Sequence, residues 1–210
     1  MTEPLRLVVV SAGLRQPSST RMLADRLAAS AERALDNHGR AAQVRVIELR
    51  ELATEIANNL VTGFPNETLS DALKAVETAD ALIVVSPIFS ASYSGLFKSF
   101  FDLIDPEALG GTPVLIAATG GSARHSLALE HALRPLFSYL HATVVPTAVY
   151  AATEDWGASS GTESADLGGR VDRAAAELAA LLTLGVARQR RQPPADDHDD
   201  VVPFEQLLAR

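Results

Sequence analysis

Five short strand-like runs recur along the chain, at Leu5 to Val10, Val44 to Leu49, Ala81 to Ser86, Val114 to Thr119 and Thr143 to Tyr150. The segments between them repeat their apolar residues every three or four positions, so strand-like and helix-like stretches alternate. Near-continuous apolar strands belong to a parallel sheet with helices on both faces, because side chains pointing either way must then be covered. The pattern predicts an α/β, doubly wound fold.

Leu23, Leu27, Ala31, Ala34 and Leu35 fall on one face of the first helix, and Asn37-His38-Gly39 supplies its stop signal. After the fourth strand, Leu129, Leu133, Phe137 and Leu140 repeat in the same way. Pro135 interrupts that helix and predicts a kink, since a mid-helix proline costs about 3 kcal/mol or more. A last helix is expected over Ala165 to Ala187, after a polar, small-residue loop at Ala158 to Gly161. Residues 1–187 then form one domain. Residues 188–210 open on "RQRRQPPADDHDD", whose charge blocks and Pro-Pro pair predict a tether. The closing "VVPFEQLLAR" is apolar again, suited to docking on its own domain or on a second subunit. No internal repeat is visible.

With 210 residues and 47% hydrophobic content, the chain suits one ordinary core. The balance of 18 Lys+Arg against 26 Asp+Glu gives a net charge of -8, which argues against nucleic acid as a partner. Cysteine is absent, which excludes disulfides, iron–sulfur clusters, thiolate zinc sites and cysteine nucleophiles. Redox chemistry would therefore need a cofactor. Thr2-Glu3-Pro4 leads straight into the first strand without a basic leader, and no uncharged apolar stretch reaches the ~18 residues of a membrane span. A soluble, cytoplasmic protein with no membrane association is expected.

In an open parallel sheet, ligands sit beyond the carboxyl ends of the strands where the strand order reverses. The loops to read are "SAGLRQPSST", "SPIFSASYSG" and "ATGGSARHS". The first ends at a helix start, where unpaired N–H groups and the helix dipole favour an anion. Ser18, Ser19 and Thr20 add hydroxyls and Arg15 a charge, although a turn at Pro17 with a serine cap explains the loop taken alone. Phe89 and Tyr93 on the second loop border a flat ring or cover the core. Phe97, Phe100 and Phe101 read as core. In the third loop, glycines at 120 and 121 let backbone approach a ligand, or serve an ordinary turn.

Competing motifs are missing. His125 and His131 are spaced wrongly for a metal pair on one helix face, so no metal site is predicted. "GGSARH" lacks the second glycine of a nucleophile elbow, which makes Ser122 a poor nucleophile. Neither G-x-G-x-x-G nor a Walker-type loop occurs. The strand ends also lack the acidic cluster of a response regulator.

Together, "SAGLRQPSSTRMLADRLA", "SPIFSASYSGLFKSFFDLID" and "ATGGSARHSLALEHALRPLFSYLHATVVPTAVYAATEDWG" resemble the NADPH-dependent FMN reductase family of flavodoxin-like proteins. The likeness runs over about residues 5 to 185 and is nearest to actinobacterial members that partner luciferase-like monooxygenases. It implies a flavodoxin-like five-stranded parallel sheet, order 2-1-3-4-5, with FMN across the three loops. NADPH or NADH would be the hydride donor, and members are commonly homo-oligomers. The implied cofactor-binding residues are Ser11, Arg15, Ser18, Ser19, Thr20, Pro87, Ile88, Phe89, Ser90, Thr119, Gly120, Gly121 and Ser122. No acid–base residue is assigned, because the flavin carries the chemistry.

This chain departs from the family pattern twice. Ala12-Gly13 replaces a Gly-Ser pair, losing a hydroxyl, and Phe89 replaces the tyrosine of a Pro-x-Tyr loop. Reduction of quinones or azo dyes, and a non-enzymatic flavodoxin-like electron carrier, are the alternatives at this point.

Overall fold

The computed structural model describes residues 3–156 and 162–184, of which 162–166 are described as backbone only. Its centre is a parallel sheet in the order β2 (Ala42–Glu48), β1 (Leu5–Ser11), β3 (Ala81–Phe89) and β5 (Pro113–Gly120). Beyond β5 lie β6 (Thr143–Val144), paired with the start of β5, and β7 (Val149–Ala152), paired with its end.

The expected fifth strand is thus one sheet position occupied in two pieces. The break includes Pro146, which has no N–H to give to the ladder. A short strand, β4 (Ser92–Tyr93), folds back antiparallel on the end of β3. Seven strands therefore stand where five were expected, while the parallel order 2-1-3-4-5 holds for the five expected positions.

Two apolar clusters fill the two faces. Val8, Val10, Leu82, Val84, Val114 and Ile116 point to one, and Leu7, Val9, Ile83, Val85, Leu115 and Ala117 to the other. This alternation is the pleat of a buried parallel sheet. The first face is covered by α2 (Ala53–Thr62), α3 (Glu67–Glu77), α4 (Gly95–Phe101) and α5 (Arg134–Tyr139). The second is covered by α1 (Ser19–Asp36) and α6 (Thr162–Thr183). Leu23, Leu27, Ala31 and Leu35 are all within 1% of full burial, as the first helix's periodicity requires. Phe97, Phe100 and Phe101 are core, meeting one another and Phe137 through tilted and edge-on ring contacts.

Pro135 does not break a regular helix. Leu129–Leu133 forms a π-helical turn in which Arg134 N–H reaches back to Leu129 O, and Pro135 falls in the first turn of α5. The π bond from Arg134 closes the preceding turn, and the position that follows it is the one filled by a residue with no N–H to give. Leu129, Leu133, Phe137 and Leu140 are all buried. The last helix starts earlier than expected, at Thr162, and runs to Thr183. The predicted loop at Ala158 to Gly161 and the tail 188–210 lie outside the described residues. Among the described residues, no helix is long and apolar enough to cross a membrane.

Candidate functional site

The chain leaves β1 toward β2 on one side, and from β3 onward builds toward β5 on the other. The strand order therefore reverses between β1 and β3, where their carboxyl ends open a crevice. Ala12 N–H still bonds Val85 O at 2.9 Å, which holds the start of the first loop against β3. Past that point the backbone pairing stops. No backbone N–H of residues 13–16 or 18–20 has a hydrogen-bond partner among the described residues, and Pro17 has no N–H to offer.

Ser18 caps α1, its Oγ accepting from Arg21 N–H at 3.2 Å. The same hydroxyl explains the glycine at 13. A Cβ on Gly13 would lie 2.1 Å from Ser18 Oγ, so the space of the absent side chain is already taken by a hydroxyl from five residues on. Ser19 is exposed on the first turn. Thr20 is buried, and its hydroxyl bonds that of Thr119 at 2.9 Å, joining the first loop to the end of β5. Ser11 is buried at the end of β1, and its Oγ has no partner among the described residues.

Charge around the loop is mostly committed. Glu48, ending β2, receives Arg21 Nη1 and, at 3.0 Å, Arg50 Nε, while Arg21 Nε also bonds Asp25 at 2.8 Å. Arg15 is exposed and has no ion pair or hydrogen bond among the described residues. An uncommitted guanidinium thus shares a loop with a run of unpaired N–H groups at a helix start. That combination is chemically suited to an anion.

The second loop is a hairpin. Ser90 (φ 48°) and Ala91 (φ 70°) make the turn between β3 and β4, in the left-handed region that two-residue hairpin loops use. Pro87 is buried, Ile88 half-buried, and Ser90 exposed. Phe89 stands 49% exposed, so it does not cover the core, whereas Tyr93 packs on the core and lies 5.8 Å from the Phe97 ring. Ser86 ties the hairpin down: its Oγ donates to Pro87 O and accepts from Ser94 N–H, both at 2.9 Å.

At the end of β5, a Cβ on Gly120 would lie 2.0 Å from the Tyr150 hydroxyl. This glycine is demanded by a neighbouring side chain. Gly121 differs, being exposed with nothing within 4 Å of a Cβ. Tyr150 OH donates to Ser122 O at 2.9 Å, and Ser122 Oγ accepts from Arg124 N–H at 3.2 Å. Burial raises the Tyr150 phenol above its ordinary value, with Glu154 and Asp155 adding to the shift. It therefore stays a neutral donor. The N–H groups of Gly121, Ser122 and Ala123 have no partner among the described residues.

The structure thus brings the three loops together along one sheet edge, through Ala12–Val85 and Thr20–Thr119. Sequence reasoning missed Tyr150 as a site element and Thr20–Thr119 as a joint. A lone tyrosine among the small residues of "VYAA", opposite a strand ending in glycine, is the signal that was present. A separate groove of about 580 Å³ runs between α4 and α5, past Lys98, His131, Pro135 and Tyr139. None of the thirteen predicted site residues lines it. We place the site at the strand ends, because the groove is walled by helix flanks and carries no row of unpaired donors.

The fold is flavodoxin-like, with a loop of unpaired N–H groups at its topological switch point. The sequence pattern of NADPH-dependent FMN reductases matches residues 5–157. An FMN reductase (NADPH) of Pseudomonas aeruginosa is 44% identical over 156 residues, covering 74% of this chain and 81% of that protein. The NADH-dependent FMN reductase SfnF of Pseudomonas putida is 38% identical over 186 residues, covering 89% and 97%. An X-ray structure of an oxidoreductase from Corynebacterium diphtheriae superposes with a TM-score of 0.84 at 48% identity, covering 87% of this chain and 99% of that one. The chain belongs to the NADPH-dependent FMN reductase family. It is an oxidoreductase that works with FMN and with NADPH or NADH.

Proposed function

We propose that the three loops hold FMN, and that the enzyme hands reduced flavin to a partner monooxygenase of the luciferase-like kind. The observation that carries the site is the first loop, with its unpaired N–H groups at 13–16 and 18–20 beside an uncommitted Arg15. These donors match a phosphate. Arg15 pairs with it as a charge, Ser18 and Ser19 offer hydroxyls, and buried Ser11 offers a hydroxyl otherwise unpartnered. Thr20 braces the loop through Thr119.

Pro87, Ile88, half-exposed Phe89 and Ser90 border the flat ring, and Thr119 to Ser122 face its polar end with free N–H groups at 121 and 122. FMN bound there would supply two-electron redox chemistry between NAD(P)H and an acceptor. The chain's own residues position and polarise; none is assigned a proton.

We further propose a cytoplasmic homo-oligomer. Leu14 and Phe89 leave 50% and 49% of their surface exposed at the site, which suits a wall contributed by a second copy.

The experiment is steady-state oxidation of NADPH and NADH with added FMN, repeated with a panel of quinones, and with light scattering for subunit number. Turnover that saturates in free FMN is expected. Retained flavin, with quinone reduction independent of added FMN, would overturn the delivery of free reduced flavin.

A further inference from the structure

We infer that Tyr150 is a positioning residue for flavin, holding the Gly120–Gly121–Ser122 loop in its binding-competent shape; this rests on the proposed flavin placement. Tyr150 sits on β7 beside Ala118, with its side chain on the same face as Gly120, one pleat further on. Strand side chains lean along the strand. The ring therefore lies over Gly120, whose missing Cβ leaves the room the hydroxyl uses.

From there the hydroxyl donates to Ser122 O at 2.9 Å. In a planar trans peptide the C=O and N–H point opposite ways. Drawing the Ser122 carbonyl in onto Tyr150 therefore turns the Ala123 N–H away from Tyr150, and that N–H has no partner among the described residues.

The pin is itself anchored. Tyr150 is 4% exposed, and its backbone O accepts from Arg170 Nη1 at 2.6 Å. Arg170 Nη2 bonds Asp155 Oδ1 at 3.0 Å, and Asp155 Oδ2 accepts from Ala152 N–H at 2.7 Å. On the other side of the loop, Thr119 is held by Thr20. The exposed glycine between these two fixed points would otherwise sample many conformations. An unpinned loop lowers the competent fraction, and apparent affinity falls by that fraction.

The test measures Kd for both FMN and riboflavin, together with the thermal midpoint. Tyr150→Phe should weaken both flavins by the same factor, about two- to tenfold for one lost hydrogen bond. Gly120→Ala, whose Cβ meets the hydroxyl, should weaken both as well, and by less when made in the Tyr150→Phe background. This second variant keeps the test decisive if Tyr150→Phe folds poorly.

Gly121→Val serves as the control for flavin placement, since open space around Gly121 lets the fold accept it. If Gly121→Val leaves both flavins bound as before, the placement fails and the inference with it. If Gly121→Val weakens both while Tyr150→Phe lowers only the melting temperature, or if Gly120→Ala and Tyr150→Phe simply add, the positioning role alone is overturned.

Discussion

Replacing Arg15 by alanine is the sharpest test of the first loop. Arg15 is exposed, so its removal leaves no cavity, and no described residue loses a partner. A hydrogen bond to a charged group is worth about 1.5–3 kcal/mol when shielded. At an exposed position, solvent screening pulls such a pair toward ~1 kcal/mol. A phosphate that carries more than one charge and sits at a helix start restores part of this, so we expect a loss of about 1–2 kcal/mol, roughly 5- to 30-fold in Kd. Binding survives, because the seven unpaired N–H groups of residues 13–16 and 18–20 are backbone and remain. The assay is flavin-fluorescence titration with FMN and with riboflavin, at low and at high salt. FMN affinity should fall and riboflavin affinity should not, and the FMN loss should shrink as salt screens the wild-type contact. Equal losses for the two flavins, or no loss for either, would remove Arg15 from phosphate binding.

Thr20→Val leaves the Thr119 hydroxyl buried and unpaired, which costs about 1–3 kcal/mol. That is several degrees of melting temperature at this chain length, and adding Thr119→Val should cost less than a second independent loss; full additivity would refute the bond. Gly13→Ser drives a Cβ to 2.1 Å from Ser18 Oγ and should destabilise the loop, whereas Gly13→Ser with Ser18→Gly should recover stability and FMN binding, since glycine is a fair helix cap. Because folding raises the Tyr150 phenol, its stabilisation is complete below the ordinary value of 10.0 and is lost as pH rises through the folded-state value. The wild type's stability advantage over Tyr150→Phe, followed by denaturant melts against pH, should therefore hold from pH 6 to 9 and shrink above about pH 10; an advantage unchanged by alkali would contradict the donor role.

The fold was largely legible because its signals are local. Two of the five strand runs, Ala81 to Ser86 and Val114 to Thr119, are buried at every residue, and the α1 stripe of Leu23, Leu27, Ala31 and Leu35 was visible from spacing alone. What local pattern could not supply was the effect of proline in two places. Pro146 marks the break in a β-like run: Thr143 and Val145 give their N–H groups to β5, but the next donor on that side, Thr147 N–H, goes to Glu177 instead. Pro135 lies within a helix-like run, which becomes a π-helical turn followed by α5 with the proline in its first turn.

The site divides along the same line. In "PSST" the cap was legible, since Ser18 closes the α1 start as a serine before a helix should, whereas Thr20's bond to Thr119 was not. The glycines were harder. Gly120 read as a ligand-approach position and Gly13 as a lost hydroxyl, yet each is fixed by a hydroxyl of the protein itself, Tyr150 at 2.0 Å and Ser18 at 2.1 Å from where a Cβ would stand. Those partners lie five and thirty residues away, and in neither case does a spacing rule connect them. Gly121 alone, exposed and open, keeps the role first read for the pair. A glycine in a binding loop therefore reports close approach without naming the partner. Here the close approaches at Gly13 and Gly120 are both internal, and they shape the loops before any ligand arrives.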